Sequence, residues 1–148
     1  MITAVAYYAT IGGGWRNKAN ASYGTVSGGI DNTATGQYSV VAGGVANSNE
    51  ANYGVVSGGL NNVAAAQYSV VGGGLANSAM AFAATVGGGY SNNAAAPRSV
   101  IAGGHDNTVT ETSSFATVGG GSGNTAHAAY GAVGGGVGNT ASGLYSVV

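Results

Sequence analysis

The chain has 148 residues, the length of one ordinary domain, and 5% of them are charged, against about 25% in an average protein. The formal net charge is -1 and there is no basic patch, which excludes the electrostatic footprint of a nucleic-acid-binding protein. Cysteine is absent, so disulfides and thiolate metal sites are excluded. No run of about 18 apolar residues occurs, so we expect this segment not to insert into a membrane.

A 15-residue unit recurs nine times along the chain. The units begin at Tyr8, Tyr23, Tyr38, Tyr53, Tyr68, Ala83, Arg98, Phe115 and Tyr130. The unit that begins at Arg98 is longer, with 17 residues, and the others keep the period of 15. Residues 1–7 fit the second half of a preceding unit and 145–148 fit the start of another. The pattern therefore predicts one β-solenoid repeat domain over 1–148, a piece of a longer fibrous protein.

The first five positions of each unit predict a short β-strand, because they combine an aromatic residue with mostly β-branched residues. Side chains alternate along a strand, so positions 2 and 4 face the interior, and positions 1, 3 and 5 face the other side. Position 4 is always Val or Ile and is predicted to form a structural ladder: Ile11, Val26, Val41, Val56, Val71, Val86, Ile101, Val118 and Val133.

The remaining positions predict two bends and a second strand. Positions 6 and 7 are always Gly-Gly, which suits a sharp corner. Position 10 is always asparagine, which tolerates the left-handed region and suits a second bend. These asparagines are Asn17, Asn32, Asn47, Asn62, Asn77, Asn92, Asn107, Asn124 and Asn139. Positions 11–14 form the second strand, with small residues at 12 and 14 facing inward and mostly polar residues at 11, 13 and 15 facing water.

Two strands and two bends in each unit describe one turn of an all-β solenoid, with about nine coils stacked about 4.8 Å apart. A helix is disfavoured because each unit holds two consecutive glycines, and each glycine costs about 1 kcal/mol relative to alanine. Disorder is disfavoured because a β-branched residue recurs at position 4 through all nine units.

The outer face of the first strand is also apolar. Position 3 is Thr, Val or Ala throughout, and position 1 is usually tyrosine. A single narrow roll cannot bury both faces of this strand, so we predict a homo-oligomer. The predicted oligomer face consists of Tyr8, Tyr23, Tyr38, Tyr53, Tyr68 and Tyr130. The alternative is an exposed ladder of stacked tyrosines on a monomer.

The unit Ser-Val-Val-Gly-Gly-Gly-x-x-Asn-x-Ala-x-Gly resembles the head repeat of trimeric autotransporter adhesins, most clearly over 23–37, 68–82 and 130–144. Similar repeats, with a Gly-Gly-Gly corner and the sequence Asn-Thr-Ala-Ser-Gly found here at 139–143, occur in phage tail-fibre-like surface proteins. The resemblance implies a left-handed parallel β-roll in which three chains pack side by side. It also implies an extracellular location, on a cell surface or a virion surface.

The function that the resemblance implies is non-enzymatic. We expect a structural and adhesive segment of a surface-displayed trimeric fibre, which attaches to a host or another surface by multivalent presentation. Its partners would be two further copies of itself and a surface ligand such as an extracellular matrix protein or a glycan. The alternatives are a phage tail-fibre or receptor-binding segment and an extracellular filament subunit. An ice-binding solenoid is a weaker alternative, because Thr-x-Thr pairs occur in only two places, at 33–35 and within 108–112.

No catalytic, cofactor or metal site is predicted. The Gly-Gly-Gly corners lack the Gly-Lys-Ser/Thr of a phosphate-binding loop. Glycine-rich calcium rolls have a nine-residue period with frequent aspartate, whereas the only aspartates here are Asp31 and Asp106.

Other residues that could carry chemistry are scattered through the repeat. His105 and His127 occupy positions 8 and 13 and are predicted to be solvated. Glu50 and Glu111 lie four units apart, so they cannot form a catalytic pair. Every serine occupies a repeat or turn position, so no Ser-His-Asp arrangement is indicated.

The unit at Arg98 departs from the pattern. Its two additional residues lie near 110–114, and Arg98 replaces the tyrosine at position 1. We predict an outward bulge that interrupts the outer ladder. The insertion can be a tolerated surface loop or a ligand contact.

Overall fold

The computed structural model describes residues 2–148, and these residues wind into a parallel β-solenoid of about nine coils with no helix. Each coil adds two strands of two residues, and the strands form two parallel sheets. The predicted all-β solenoid is therefore confirmed.

The strands are β1 (Thr3–Ala4), β2 (Thr10–Ile11), β3 (Lys18–Ala19), β4 (Thr25–Val26), β5 (Thr33–Ala34), β6 (Val40–Val41), β7 (Ser48–Asn49), β8 (Val55–Val56), β9 (Val63–Ala64), β10 (Val70–Val71), β11 (Ser78–Ala79), β12 (Thr85–Val86), β13 (Asn93–Ala94), β14 (Val100–Ile101), β15 (Thr108–Val109), β16 (Thr117–Val118), β17 (Thr125–Ala126), β18 (Ala132–Val133) and β19 (Thr140–Ala141). The odd-numbered strands form a ten-stranded sheet and the even-numbered strands a nine-stranded sheet. Within each sheet, every strand pairs with the equivalent strand of the next coil.

The strands are shorter than the sequence predicted, and the turns fall at different residues. Position 1 does not belong to the strand, since its residue is in the left-handed region, with φ of 62° at Tyr23. The predicted left-handed asparagine is also wrong, because the residue before it takes that conformation, as at Asp31 with φ of 57°. A third row of backbone bridges runs through position 8, beginning with Trp15 and Ile30. A coil that turns at three corners keeps only two residues for each strand.

The interior is narrow and filled by small apolar side chains. From Val26 to Val133 the position-4 residues are 0–1% exposed, and buried alanines occupy most of position 12 on the opposite sheet. Asn49 replaces alanine there and bonds within its own coil, donating from Nδ2 to the Val40 carbonyl at 2.9 Å. Gly54 of the next coil makes room for it, because a Cβ there would lie 2.5 Å from Asn49 Oδ1.

The asparagines at position 10, which we call the asparagine row, hold the glycine corner together. Asn62 Nδ2 donates to the carbonyls of Gly58 in its own coil and Gly74 in the next, at 2.8 and 2.9 Å. Its Oδ1 accepts the backbone N–H of Asn77 at 2.9 Å. Each buried amide therefore both closes its own corner and bonds the adjacent coil. This explains why asparagine, rather than another turn residue, recurs at this position.

The 17-residue unit keeps its place in both sheets. Its two additional residues, Glu111 and Thr112, lie in an exposed turn. The chain returns to the interior at the buried Ser113, whose N–H donates to the Thr110 carbonyl at 2.9 Å. The outward bulge predicted for this unit is confirmed.

Candidate self-association surface

Tyrosines at position 1 form a continuous stack on the outside of the solenoid. Because equivalent residues of successive coils lie directly above one another, neighbouring rings stack with centroids 5.1, 4.6, 5.0 and 5.3 Å apart from Tyr8 through Tyr68. The four rings of Tyr23, Tyr38, Tyr53 and Tyr68 remain 41–47% exposed. The stack therefore leaves a row of ring edges open to contact.

The stack continues where the tyrosine pattern breaks. Ala83 occupies position 1 in the sixth coil, and the preceding Phe82 takes its place, packing edge-to-face on Tyr68 at 5.6 Å. The Arg98 guanidinium then lies 5.3 Å from the Phe82 ring and 5.2 Å from the Phe115 ring. The prediction that the Arg98 unit interrupts the outer ladder is therefore wrong. A planar guanidinium stacks on aromatic faces and substitutes for a ring.

Positions 3 and 5 widen the stack into a flat face, which we call the tyrosine face. Its central row at position 3 is β-branched except at Ala132, and Val40, Val55 and Val70 are half-buried. Position 5 carries only glycine, serine or alanine. At standard strand and coil spacings, positions 1–5 of nine coils measure at most about 13 Å by about 43 Å, since position 1 lies in the turn before the strand. Arg98 is its only charged residue.

A second apolar surface lies at position 8, just beyond the glycine corner. Its exposed side chains are 38–61% accessible and form what we call the apolar ridge: Trp15, Ile30, Val45, Leu60, Leu75 and Tyr90. This surface was not predicted from the sequence. Its signal was six consecutive units with a large apolar residue at position 8, but the two-strand interpretation assigned that position to a bend.

The third side of the solenoid carries the charges. Six of the charged residues lie at positions 9, 11 and 13 or in the insertion: Arg16, Lys18, Asp31, Glu50, Asp106 and Glu111. His127 is exposed on the same side, at position 13. The surface is thus divided into two almost uncharged sides and one polar side that suits water.

One polar depression lies on this third side. It is shallow and open, and it is lined by Thr3, Arg16, Lys18, Asp31 and Thr33. Arg16 and Asp31 form an ion pair across adjacent coils, and this hydrogen bond together with the carboxylate charge raises the pKa of Arg16. Both partners are exposed to solvent, so the pair adds little to stability.

A Ser-His-Asp cluster, which the sequence did not indicate, lies at the polar end of the ridge. His105 Nε2 is 3.0 Å from Asp106 Oδ2, and its Nδ1 is 3.4 Å from Ser122 Oγ. His105 also stacks on Tyr90 at 4.8 Å. The backbone N–H groups of Ser122 and Gly123 already donate to carbonyls of other coils. These two N–H groups are therefore not free to donate to an oxyanion, and the histidine ring extends the ridge beyond Tyr90.

Within residues 2–148 there is no group of three or more His, Cys, Asp or Glu side chains that could hold a metal ion. The same residues include no helix that is long and apolar enough to cross a membrane. No protein-family model matches the chain, and no curated protein matches it significantly.

Proposed function

We propose that the chain is a non-enzymatic structural and adhesive segment of a surface-displayed fibre in which three copies pack side by side. The observation that carries this proposal is the tyrosine face, an exposed and largely apolar surface of aromatic and mostly β-branched residues with one charge, at Arg98. A contiguous apolar patch of a few hundred Å² or more often marks an interaction site on a protein surface. The resemblance of the repeat to adhesin heads supports three copies and a left-handed roll.

A glycan platform is a less suitable use of this face. Sugars stack on the flat faces of aromatic rings, whereas these rings cover one another's faces and leave their edges exposed. The interplanar angles between successive tyrosines from Tyr8 to Tyr68 are 5–19°. Packing against a second protein surface uses ring edges as well as faces. The tyrosine face therefore suits a protein partner.

The polar side would then face outward and bind the surface ligand. Three copies of a weak site on one stiff fibre bind with an avidity far above that of one copy. An extracellular matrix protein or a glycan is the expected ligand, and the fibre is expected on a cell or virion surface.

Solution mass tests the proposal. Sedimentation equilibrium at micromolar concentration should give three times the 14.0 kDa of one chain. Val40→Glu combined with Val70→Glu places two charges on the tyrosine face, two coils apart, and should give monomers. Thr35→Glu combined with Met80→Glu, on the polar side, is the matched control and should leave the trimer intact. A monomeric wild-type chain at tens of micromolar would overturn the proposal.

Adhesion is measured on the same three proteins. Binding to immobilised matrix proteins and glycans should weaken at least about tenfold when the fibre becomes monomeric, because multivalency is lost. Equal binding by monomer and trimer would contradict the multivalent mechanism.

A further inference from the structure

The apolar ridge remains exposed if copies meet only through their tyrosine faces. Its six side chains lie in consecutive coils, so they form one continuous strip at the coil spacing. A stable interface covers about 800 Å² on each partner. The tyrosine face alone has a flat footprint of at most about 560 Å² at standard strand and coil spacings. An assembly that also buries the ridge comes closer to the usual size.

We propose that the ridge of each copy packs against the tyrosine face of the next copy, an inference that rests on the proposed function. Each copy would then use two different surfaces, one with each neighbour. Contacts between two different surfaces close into a ring when the rotation closes, which fits a threefold assembly. The ridge and the face lie on either side of the glycine corner, so one chain can present both.

Shape favours a ridge-on-face contact over a ridge-on-ridge contact. The ridge is one side chain wide in each coil, so two ridges would bury little more than a single row. The tyrosine face has a shallow row at position 5, where Ala42, Ser57 and Gly72 project little beyond the backbone. Side chains of the size of Leu60 and Leu75 fill such a row between the β-branched residues and the corner.

Charge supports the same pairing. A closed ring has rotation without translation, so equivalent coils of neighbouring copies lie at the same height. Arg98 is the only charged residue of the tyrosine face, and its guanidinium lies between the rings of Phe82 and Phe115. In the same unit the ridge carries His105, which contacts Asp106 at 3.0 Å. The pairing therefore places Arg98 at the same height as His105 on the facing ridge, with the Asp106 carboxylate beside that ridge.

Mixing two variants, one with glutamates on the ridge and one with glutamates on the tyrosine face, tests the ridge-on-face contact. The ridge variant is Val45→Glu with Leu75→Glu, and the face variant is Val40→Glu with Val70→Glu. Each variant alone lacks one half of every contact and should be monomeric. A 1:1 mixture retains one intact pairing, the ridge of the face variant on the face of the ridge variant, and should sediment as a dimer. Circular dichroism checks that each variant is folded.

The outcomes separate this inference from the proposed function. A trimeric wild type with a trimeric ridge variant would refute the ridge contact and leave the tyrosine-face trimer standing. Two monomeric variants whose mixture stays monomeric would also refute it. A monomeric wild type would refute both proposals.

Cysteine pairing gives a second test with smaller substitutions, since the chain has no native cysteine. A Leu75→Cys chain is mixed with an affinity-tagged Val70→Cys chain and oxidised by copper phenanthroline in air. The expected product is the mixed disulfide, at least tenfold more abundant than either homodimer. Predominant Leu75→Cys homodimers would overturn the proposal in favour of ridge-on-ridge contact.

Discussion

The asparagine row and the aromatic row of the tyrosine face recur in nearly every coil, but they differ in whether a coil can do without them. Asparagine has no exception in nine coils, whereas Ala83 and Arg98 replace the aromatic residue in two. The side chain of each buried asparagine forms hydrogen bonds in two coils at once, as Asn62 does with Gly58 and Gly74. The aromatic row is open to solvent, so Phe82 can move in where a ring is missing. Recurrence alone therefore does not measure how much a residue contributes to the fold.

The largest effect is expected at the glycine corner beside the asparagine row. Gly74→Ala would place a Cβ 2.1 Å from the Gly89 carbonyl oxygen at a φ of 89°, so both the backbone strain and the clash oppose it. We expect a loss of about 4 kcal/mol in the free energy of unfolding, measured by urea titration. All proteins are compared at one concentration, because association adds to stability.

Gly28→Ala is the control for this corner. Gly28 lies directly before the glycine that corresponds to Gly74 in the second coil, and its φ is not positive. No atom lies within 4 Å of the position that an added Cβ would take at Gly28. Its free energy of unfolding should change by less than about 1 kcal/mol. Equal losses of unfolding free energy in Gly74→Ala and Gly28→Ala would show that Gly74 is no more constrained than Gly28.

A second substitution tests the hydrogen bonds of the asparagine row without changing its shape. Asn62→Asp replaces the Nδ2 donor by an oxygen that faces the carbonyls of Gly58 and Gly74. Burying a charge against two acceptors should cost about 3 kcal/mol in urea unfolding at pH 7. Asn61→Asp makes the same chemical change at an exposed neighbour and should cost less than about 0.5 kcal/mol. A small loss at Asn62 would contradict the bonding role.

The sequence predicted the solenoid because its strongest signals are local and periodic. A β-branched residue at position 4 and Gly-Gly at positions 6 and 7 specify an inward ladder and a corner in every unit. The third row of bridges at position 8 was not predicted. It involves one residue in each coil, and one residue cannot show the alternation of apolar and polar side chains that marks a strand. The left-handed residue at position 9 was missed for a related reason. Its occupants range from Arg16 to Ala46, and only the closed coil demands that conformation.

The tyrosine row was predicted as an outer face, but its continuity was not. The stacking of Phe82 and Arg98 depends on side chains turning from different positions of adjacent units toward one another. Phe82 and Arg98 occupy different positions of the repeat, so the repeat pattern does not reveal that their side chains stack. The apolar ridge was missed although it recurs, since Trp, Ile, Val, Leu and Tyr share hydrophobicity and not identity.

A third substitution tests whether Arg98 carries the aromatic stack across its gap. Arg98→Ala would leave Phe82 and Phe115 without the group between them and should lower the unfolding free energy by about 1 kcal/mol. Arg98→Lys keeps the charge but loses the planar group, so it should recover less than half of that loss. Identical stability for all three proteins would show that the guanidinium stack contributes nothing.

The smallest effect is expected at position 9, between the ridge and the asparagine row. Ala76 has a φ of 55°, in the left-handed region that alanine disfavours. Asn61 takes the same conformation one coil earlier, so Ala76→Asn should raise the unfolding free energy by about 0.5 kcal/mol. Ala76→Gly relieves the same strain but makes the unfolded chain more flexible, so its net change should be close to zero. A gain with asparagine and none with glycine would assign the effect to backbone preference. Destabilisation by both would instead show that the alanine methyl packs beside the ridge and contributes to the fold.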